Sequence, residues 1–168
     1  MDFRLSVNVS VIQFRDENFL ETFLELVQHA SLQRSSLTVE ITESLMVEEL
    51  EDVLPTLQAL KDEGIEISFD DFGTGYSSLG MLRRLPIDEL KIDKSFIDTL
   101  LEDEQDKLLV QSIIDIGKNF TMVMLAEGVE SQAQYEMLRH LGCDVVQGYY
   151  FSKSLGSQDL KQYLQNMV

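Results

Sequence analysis

Basic residues are scarce in this chain: 13 Lys and Arg stand against 30 Asp and Glu in 168 residues, for a formal net charge of −17. Long-range repulsion at that charge disfavours coating of DNA, RNA or anionic lipid, so a nucleic-acid polymer is not an expected partner. Long hydrophobic runs are absent too. Nothing approaches the roughly 18 apolar residues of a membrane span, and Met1, Asp2, Phe3 and Arg4 lack the basic-then-apolar plan of a secretory signal. The expectation is a cytoplasmic segment without membrane contact. A single cysteine, Cys143, excludes an intramolecular disulfide and agrees with a reducing compartment. No Pro/Ser-rich linker, low-complexity run or internal repeat divides the chain, which predicts one cooperative unit over residues 1–168.

What is present is enough apolar residue, 44%, for a real core, and a pattern whose period switches repeatedly between strand and helix. Strands are expected at 4–9 (RLSVNV), 37–41 (LTVEI), 65–69 (IEISF), 89–92 (ELKI), 122–126 (MVMLA) and 144–146 (DVV). Amphipathic stretches at 18–32, 47–63, 78–84, 104–120, 131–141 and 157–167 can serve as crossover helices. Gly64 and Gly142 stand just past helix ends, and Ser131 and Ser157 stand as N-caps. This is an α/β chain. An eight-unit parallel barrel takes about 250 residues, or roughly 30 per unit, so the length accommodates about six units of a (β/α)8 barrel. Such a barrel is incomplete unless another segment or chain completes it, and its open edges invite pairing. An open doubly wound sheet is the alternative, but no glycine-rich phosphate turn follows the first strand.

Each expected strand ends in a polar residue: Asn8, Glu40, Asp70 with Asp71, Lys91, Glu127 and Gln147. Taken singly, an acid at a strand end is usually a helix cap or a loop residue. In a barrel these ends converge on one face, so their joint occurrence predicts a shared site. Four carboxylates, an amide oxygen and a lysine are the wrong set for structural zinc; they suit Mg²⁺ or Mn²⁺. Two such ions can activate water and stabilise the leaving oxygen of a phosphodiester. The stretch DDFGTGYSS at 70–78 reads as a loop built to bend, with no GK[ST] to make it a Walker phosphate loop. His29 and His140 fall near helix ends, and Cys143, Met122 and Met124 read as core.

Six motifs in one order carry a resemblance: SVNVS (6–10), VEITES (39–44), DDFGTGYSSL (70–79), LPIDELKIDKSFI (85–97), AEGVES (126–131) and GCDVVQGYYFSKSL (142–155). Together they resemble the cyclic di-GMP phosphodiesterases of the Glu-Ala-Leu (EAL) class. The resemblance implies a TIM-type barrel that hydrolyses cyclic di-GMP to linear pGpG with two Mg²⁺ or Mn²⁺ ions in bacterial signal transduction. It implies metal ligands at Asn8, Glu40, Asp70, Asp71 and Glu127, with Glu127 alternatively the general base. Lys91 matches the lysine that holds the attacking water or the scissile phosphate, and Gln147 the glutamine lining the same water site. Glu43 matches a glutamate anchoring the loop of Gly73, Thr74, Gly75, Tyr76 and Ser77, which couples the metals to dimer contacts; Asp93 and Glu130 match further family positions. Implied partners are cyclic di-GMP, a second copy, and sensory or GGDEF-type domains in a longer protein, which could be membrane-anchored elsewhere. The family's Glu-Ala-Leu strand and a following phosphate-binding arginine are not found in these residues. With one ligand and one phosphate clamp missing, the alternative is a catalytically silent cyclic di-GMP-binding or protein-interaction module.

Overall fold

A computed structural model of the chain describes residues 4–73 and 79–166, apart from the side chains of residues 11, 43–49 and 166. Six strands form one wholly parallel sheet in the order of the sequence: β1 (Leu5–Asn8), β2 (Leu37–Thr42), β3 (Glu66–Phe72), β4 (Glu89–Ile92), β5 (Val123–Ala126) and β6 (Val145–Val146). Doubly wound sheets reverse their strand order at a switch point, whereas barrels do not, so sequential order selects the barrel-type reading. The sheet also curls. Arg4, at the start of β1, pairs with Glu66 on β3 at 2.7 Å and Glu89 on β4 at 3.3 Å. In a flat sheet, neighbours about 4.8 Å apart would put β1 and β4 beyond such reach. The result is a curled half-barrel of six β/α units.

Alternation within each strand divides the sheet into two unlike faces. Outward lie Val39, Ile41, Ile67, Phe69, Leu90, Ile92, Met124 and Ala126, all fully buried. They pack under α3 (Glu43–Asp62) and α6 (Glu104–Asn119), where Leu57, Leu60, Val110 and Ile114 complete the core. Each such side chain contributes about 1.5–3 kcal/mol by leaving water, so the sheet–helix layer is where the stability lies. Inward lie Thr38, Glu40, Ser68, Glu89 and Lys91, polar and nonetheless buried. Parallel strands covered on both faces usually read as continuous apolar runs, so a polar inner face marks a lined cup rather than a filled barrel.

The remaining helices are α1 (Val11–Phe14), α2 (Phe19–His29), α4 (Leu79–Leu82), α5 (Lys94–Thr99), α7 (Gln132–Leu141) and α8 (Ser157–Asn166). Two of them, α1 and α5, are too short to show a helical period and were not expected. The fold corrects other boundaries: α3 begins at Glu43 directly off β2, four residues before its apolar pattern does, and Ser157 is the first residue of α8 rather than its cap. Ser131 does cap α7, in a reciprocal box with Gln134, and Gly142 ends it in the left-handed conformation. Buried Gln134 also donates to the carbonyl of Ile97 at 3.0 Å, tying α7 to α5. Among the described residues, β1 and β6 pair on one side only, and no helix is long and apolar enough to cross a membrane.

Glu89 sits at the bottom of the cup, 3% exposed, accepting from Ser68 Oγ at 2.8 Å and from Arg4. Burial holds its carboxyl above the ordinary value, against the pull of Ser68, Arg4 and Lys91, while Glu40 pushes the same way as burial. A carboxyl raised in the folded state binds its proton more tightly there. Its contribution to stability is therefore full below the unfolded pKa and is lost as pH rises through the folded one. Replacing Glu89 with Gln keeps the partner for Ser68 and removes that loss. Relative to the parent, Glu89→Gln is expected to be more stable at pH 7 than at pH 4, read by urea unfolding of both proteins at each pH. An equal difference at the two pH values would show that Glu89 titrates as it does in the unfolded chain.

Candidate active site

The carboxyl ends of the strands carry the site, and a bulge in β3 shapes it. Register runs Phe69↔Leu90 and then Phe72↔Ile92, so Asp70 and Asp71 together oppose Lys91. Asp71 takes a positive φ of 59°, rare for a residue with a side chain, and its N–H donates to Asp70 Oδ1 at 2.9 Å. The extra residue reverses the alternation, leaving the Phe69 and Phe72 rings 6.2 Å apart. Strain in the backbone thus places two acids at one strand end, where a regular strand would send them to opposite faces.

Lys91 is the hub. Its ammonium, 3% exposed, lies 3.2 Å from Glu40 Oε2, 3.0 Å from Asp70 Oδ2 and 2.6 Å from Glu127 Oε1. Three strand ends therefore meet at one nitrogen. Burial works against the lysine's charge, but its bonds to Glu127 and Asp70 outweigh it and hold the ammonium above its ordinary value. Three carboxylates against one ammonium leave an excess of negative charge. Burial, with Asp70 and Glu40 nearby, accordingly pushes Glu127 up, while Lys91 pulls it back. Gln147 Nε2 donates to the same Glu127 oxygen at 2.7 Å. The expected Lys91, Glu127 and Gln147 thus form one connected chain.

Asn8 is exposed and stands in register beside Glu40. Asp93 caps α5, accepting from the N–H of Ser95 at 3.1 Å, and Glu130 pairs with Lys94. Neither reaches the hub. Gly73 closes β3 with its neighbours Thr74, Gly75, Tyr76 and Ser77 outside the described residues, as is the side chain of Glu43. Among the described residues no group of three or more His, Cys, Asp or Glu forms a ready metal centre; the Lys91 ammonium stands amid the carboxylates instead. The donor chemistry nevertheless fits a hard divalent cation. Every side chain at the hub apart from Lys91 offers carboxylate oxygen, and the second acid of the bulge, Asp71, adds another at the same strand end. Cys143, whose thiol burial pushes up to about 11, bonds to the carbonyls of Met124 and Val145 and is partly buried against the core rather than within it.

Beside Glu127 and Gln147 opens a cavity of about 570 Å³, whose walls include Lys94, Glu130, Tyr149 and Lys153. Two glycines make it. Gly128 has φ +69°, and a Cβ there would collide with the Lys94 side chain that crosses it to reach Glu130. Gly148 lies against the Val129 backbone, whose N–H donates to Gln147 O at 3.0 Å and whose carbonyl accepts from the Tyr150 N–H at 2.9 Å. Sequence reasoning missed Ser68 and Glu89, although the alternation in EISFD and ELKI carried their signal. It also missed Lys94, Tyr149 and Lys153, for which no periodic signal existed.

Comparison with known proteins agrees with this fold. Over 98% of its length the chain is 39% identical to the oxygen sensor protein DosP of Escherichia coli, and over 95% it is 39% identical to the bifunctional diguanylate cyclase/cyclic di-GMP phosphodiesterase MucR of Pseudomonas aeruginosa. It spans 20% and 23% of those two proteins, about a fifth of their length. The crystal structure of the EAL domain of Mycobacterium smegmatis DcpA superposes with a TM-score of 0.91 at 36% identity, over 97% of this chain and 73% of that one. A MucR phosphodiesterase structure in complex with c-di-GMP gives 0.89 at 39% identity, over 95% of this chain and 64% of that one. The family model described as EAL domain matches residues 1–154, and the chain belongs to the EAL domain family.

Proposed function

We propose that this chain forms most of a cyclic di-GMP phosphodiesterase domain within a longer cytoplasmic or membrane-anchored signalling protein. The observation that carries the reading is the convergence of Glu40, Asp70 and Glu127 on Lys91 within 3.2 Å, at the strand ends where barrel enzymes do their chemistry. Glu40, Asp70, Asp71 and Glu127, with Asn8 beside Glu40, would hold two Mg²⁺ or Mn²⁺ ions. When bound, these ions supply an activated water and neutralise charge on the phosphate. The chain's own residues do the rest. Lys91, kept charged by its carboxylates, stabilises negative charge developing on the phosphate. Gln147 fixes Glu127 by its amide, and where Glu127 is not a metal ligand, its carboxyl, raised by burial, is the alternative group to take a proton from water. Water oxygen bonds to phosphorus, the ribose 3′ oxygen leaves with a proton, and linear pGpG results. Further strands of the same protein, carrying a Glu-Ala-Leu segment, or a second copy would cover the open sides of β1 and β6.

The test uses the full-length protein that contains this chain. Asp70→Asn is expected to lower the rate of pGpG formation by about 10³-fold while cyclic di-GMP still binds. Hydrolysis at the parent rate would overturn the proposed role of the bulge acids. A parent protein that binds cyclic di-GMP without releasing pGpG would favour the silent-module reading.

A further inference from the structure

Beneath the hub lies a second layer of charge that the proposed hydrolysis does not use. Asn8, Glu40, Ser68 and Glu89 stand in one row of the register across β1 to β4, so Glu89 shares a row with two of the residues proposed to hold metal. Its buried carboxylate is fixed there by the Ser68 hydroxyl at 2.8 Å and by Arg4 at 3.3 Å. Two residues further along β4, on the same inward face, stands Lys91. The two layers act on each other: Lys91 favours the ionised form of Glu89, and Glu40 opposes it. Arg4 is placed differently. Its side chain is 45% exposed and bridges Glu89 to Glu66, itself 34% exposed, so water screens its charge and two carboxylates share it. Stability alone does not call for such a layer, because exchanging a buried ion pair for apolar residues of similar volume is often neutral or stabilising.

We infer that Glu89 is a positioning residue that sets the affinity of the cup for divalent cations without touching them, its buried carboxylate drawing the ions toward Glu40 and Asp70 while Arg4 limits that pull from below. The inference rests on the two-metal reading above and adds a residue to it. At the hub, the charge of Lys91 opposes any incoming cation, and the carboxylates of Glu40, Asp70 and Glu127 are already engaged with it. Two divalent cations carry more positive charge than these groups and Asp71 together can balance, and Glu89 is the next carboxylate in the row. In a buried setting Coulomb interactions fall off slowly, so a carboxylate out of contact with an ion still acts on it. Groups behind the ligands of a metal site commonly tune its affinity in this way.

The experiment titrates Mg²⁺, and separately Mn²⁺, into the metal-free full-length protein at pH 8 by calorimetry, with thermal melts of each variant. Glu89→Gln keeps a partner for Ser68 and removes only the charge; its metal affinity is expected to fall about tenfold, and Glu89→Asp to recover part of the loss. Glu66→Gln breaks the other, more exposed arm of the Arg4 pairing and is expected to stay within about twofold of the parent. Arg4→Met removes the opposing cation and is expected to bind metal more tightly than the parent. A merely structural role predicts otherwise, because Glu89→Gln and Arg4→Met break the same ion pair and would loosen the site alike. Parental affinity in Glu89→Gln, or equal losses in Glu89→Gln and Arg4→Met, overturns the inference and leaves the metal reading standing. A parent that binds neither ion overturns both.

Discussion

Replacing Lys91 with Met is expected to cost the domain about 3–5 kcal/mol in metal-free buffer, because Glu40, Asp70 and Glu127 lose the one cation they share. The ammonium is 3% exposed and the three carboxylates are 10%, 14% and 20% exposed, so water cannot replace it freely. The carboxylates would respond by taking up protons, or by recruiting another cation. Added Mg²⁺ or Mn²⁺ should therefore stabilise Lys91→Met more than the parent, which unfolding with and without metal would measure. Equal stability of parent and variant without metal would show that the carboxylates need no shared partner. The pH dependence has a definite sign. Lys91 is raised above its unfolded value, so its contribution is fully present below that value and is lost only as pH rises through the folded one. In the variant the carboxylates bind protons more tightly, so the penalty should shrink as pH falls. Hydrolysis by the full-length variant should fall by about 10²–10³-fold even when metal restores its stability, because the phosphate loses a fixed positive charge.

Gly148→Ala is the second large effect. A Cβ at this position would overlap the backbone N and O of Val129, atoms that no rotamer change can move. The segments 127–130 and 147–150 would have to separate, breaking the bonds from Val129 N–H to Gln147 O and from Tyr150 N–H to Val129 O. Overpacking against backbone costs about 3 kcal/mol, and the displacement also withdraws Gln147 from Glu127 and Tyr149 from the cavity wall. Urea unfolding of Gly148→Ala beside Gly64→Ala separates steric overlap from the cost of a positive φ. Gly64, at φ +80°, has open space where its Cβ would go, so Ala there carries the backbone strain alone. A Gly148→Ala loss no larger than that of Gly64→Ala would mean the two segments part easily.

Much of the site was legible because parallel strands bring their carboxyl ends to one face whatever lies between them. Glu40, Lys91, Glu127 and Gln147 each needed only a strand ending nearby, and the strands announced themselves by short apolar or alternating stretches between helical ones. Asp71 was different. Period-2 alternation sends it away from Asp70, and only a bulge set by pairing with β4 keeps both acids opposite Lys91. The short helices α1 and α5 were illegible for want of a full apolar period, so the capping role of Asp93 was hidden as well. Lys94 and Tyr149 meet in one cavity because Gly128 and Gly148 allow close crossings, which no local pattern encodes.

By itself, then, the sequence determined the α/β alternation, the number of strands and the acids at their ends, because these follow from side-chain period and residue chemistry along a short stretch of chain. The six motifs carried the family in the same way. Only the tertiary structure decided that the sheet curls until β2, β4 and the residue after β5 meet at one ammonium. It also decided that β3 breaks its register and that two distant loops close a cavity beside Glu127. Those outcomes depend on which backbones approach within van der Waals contact, a property of the packed sheet that no local stretch of residues possesses.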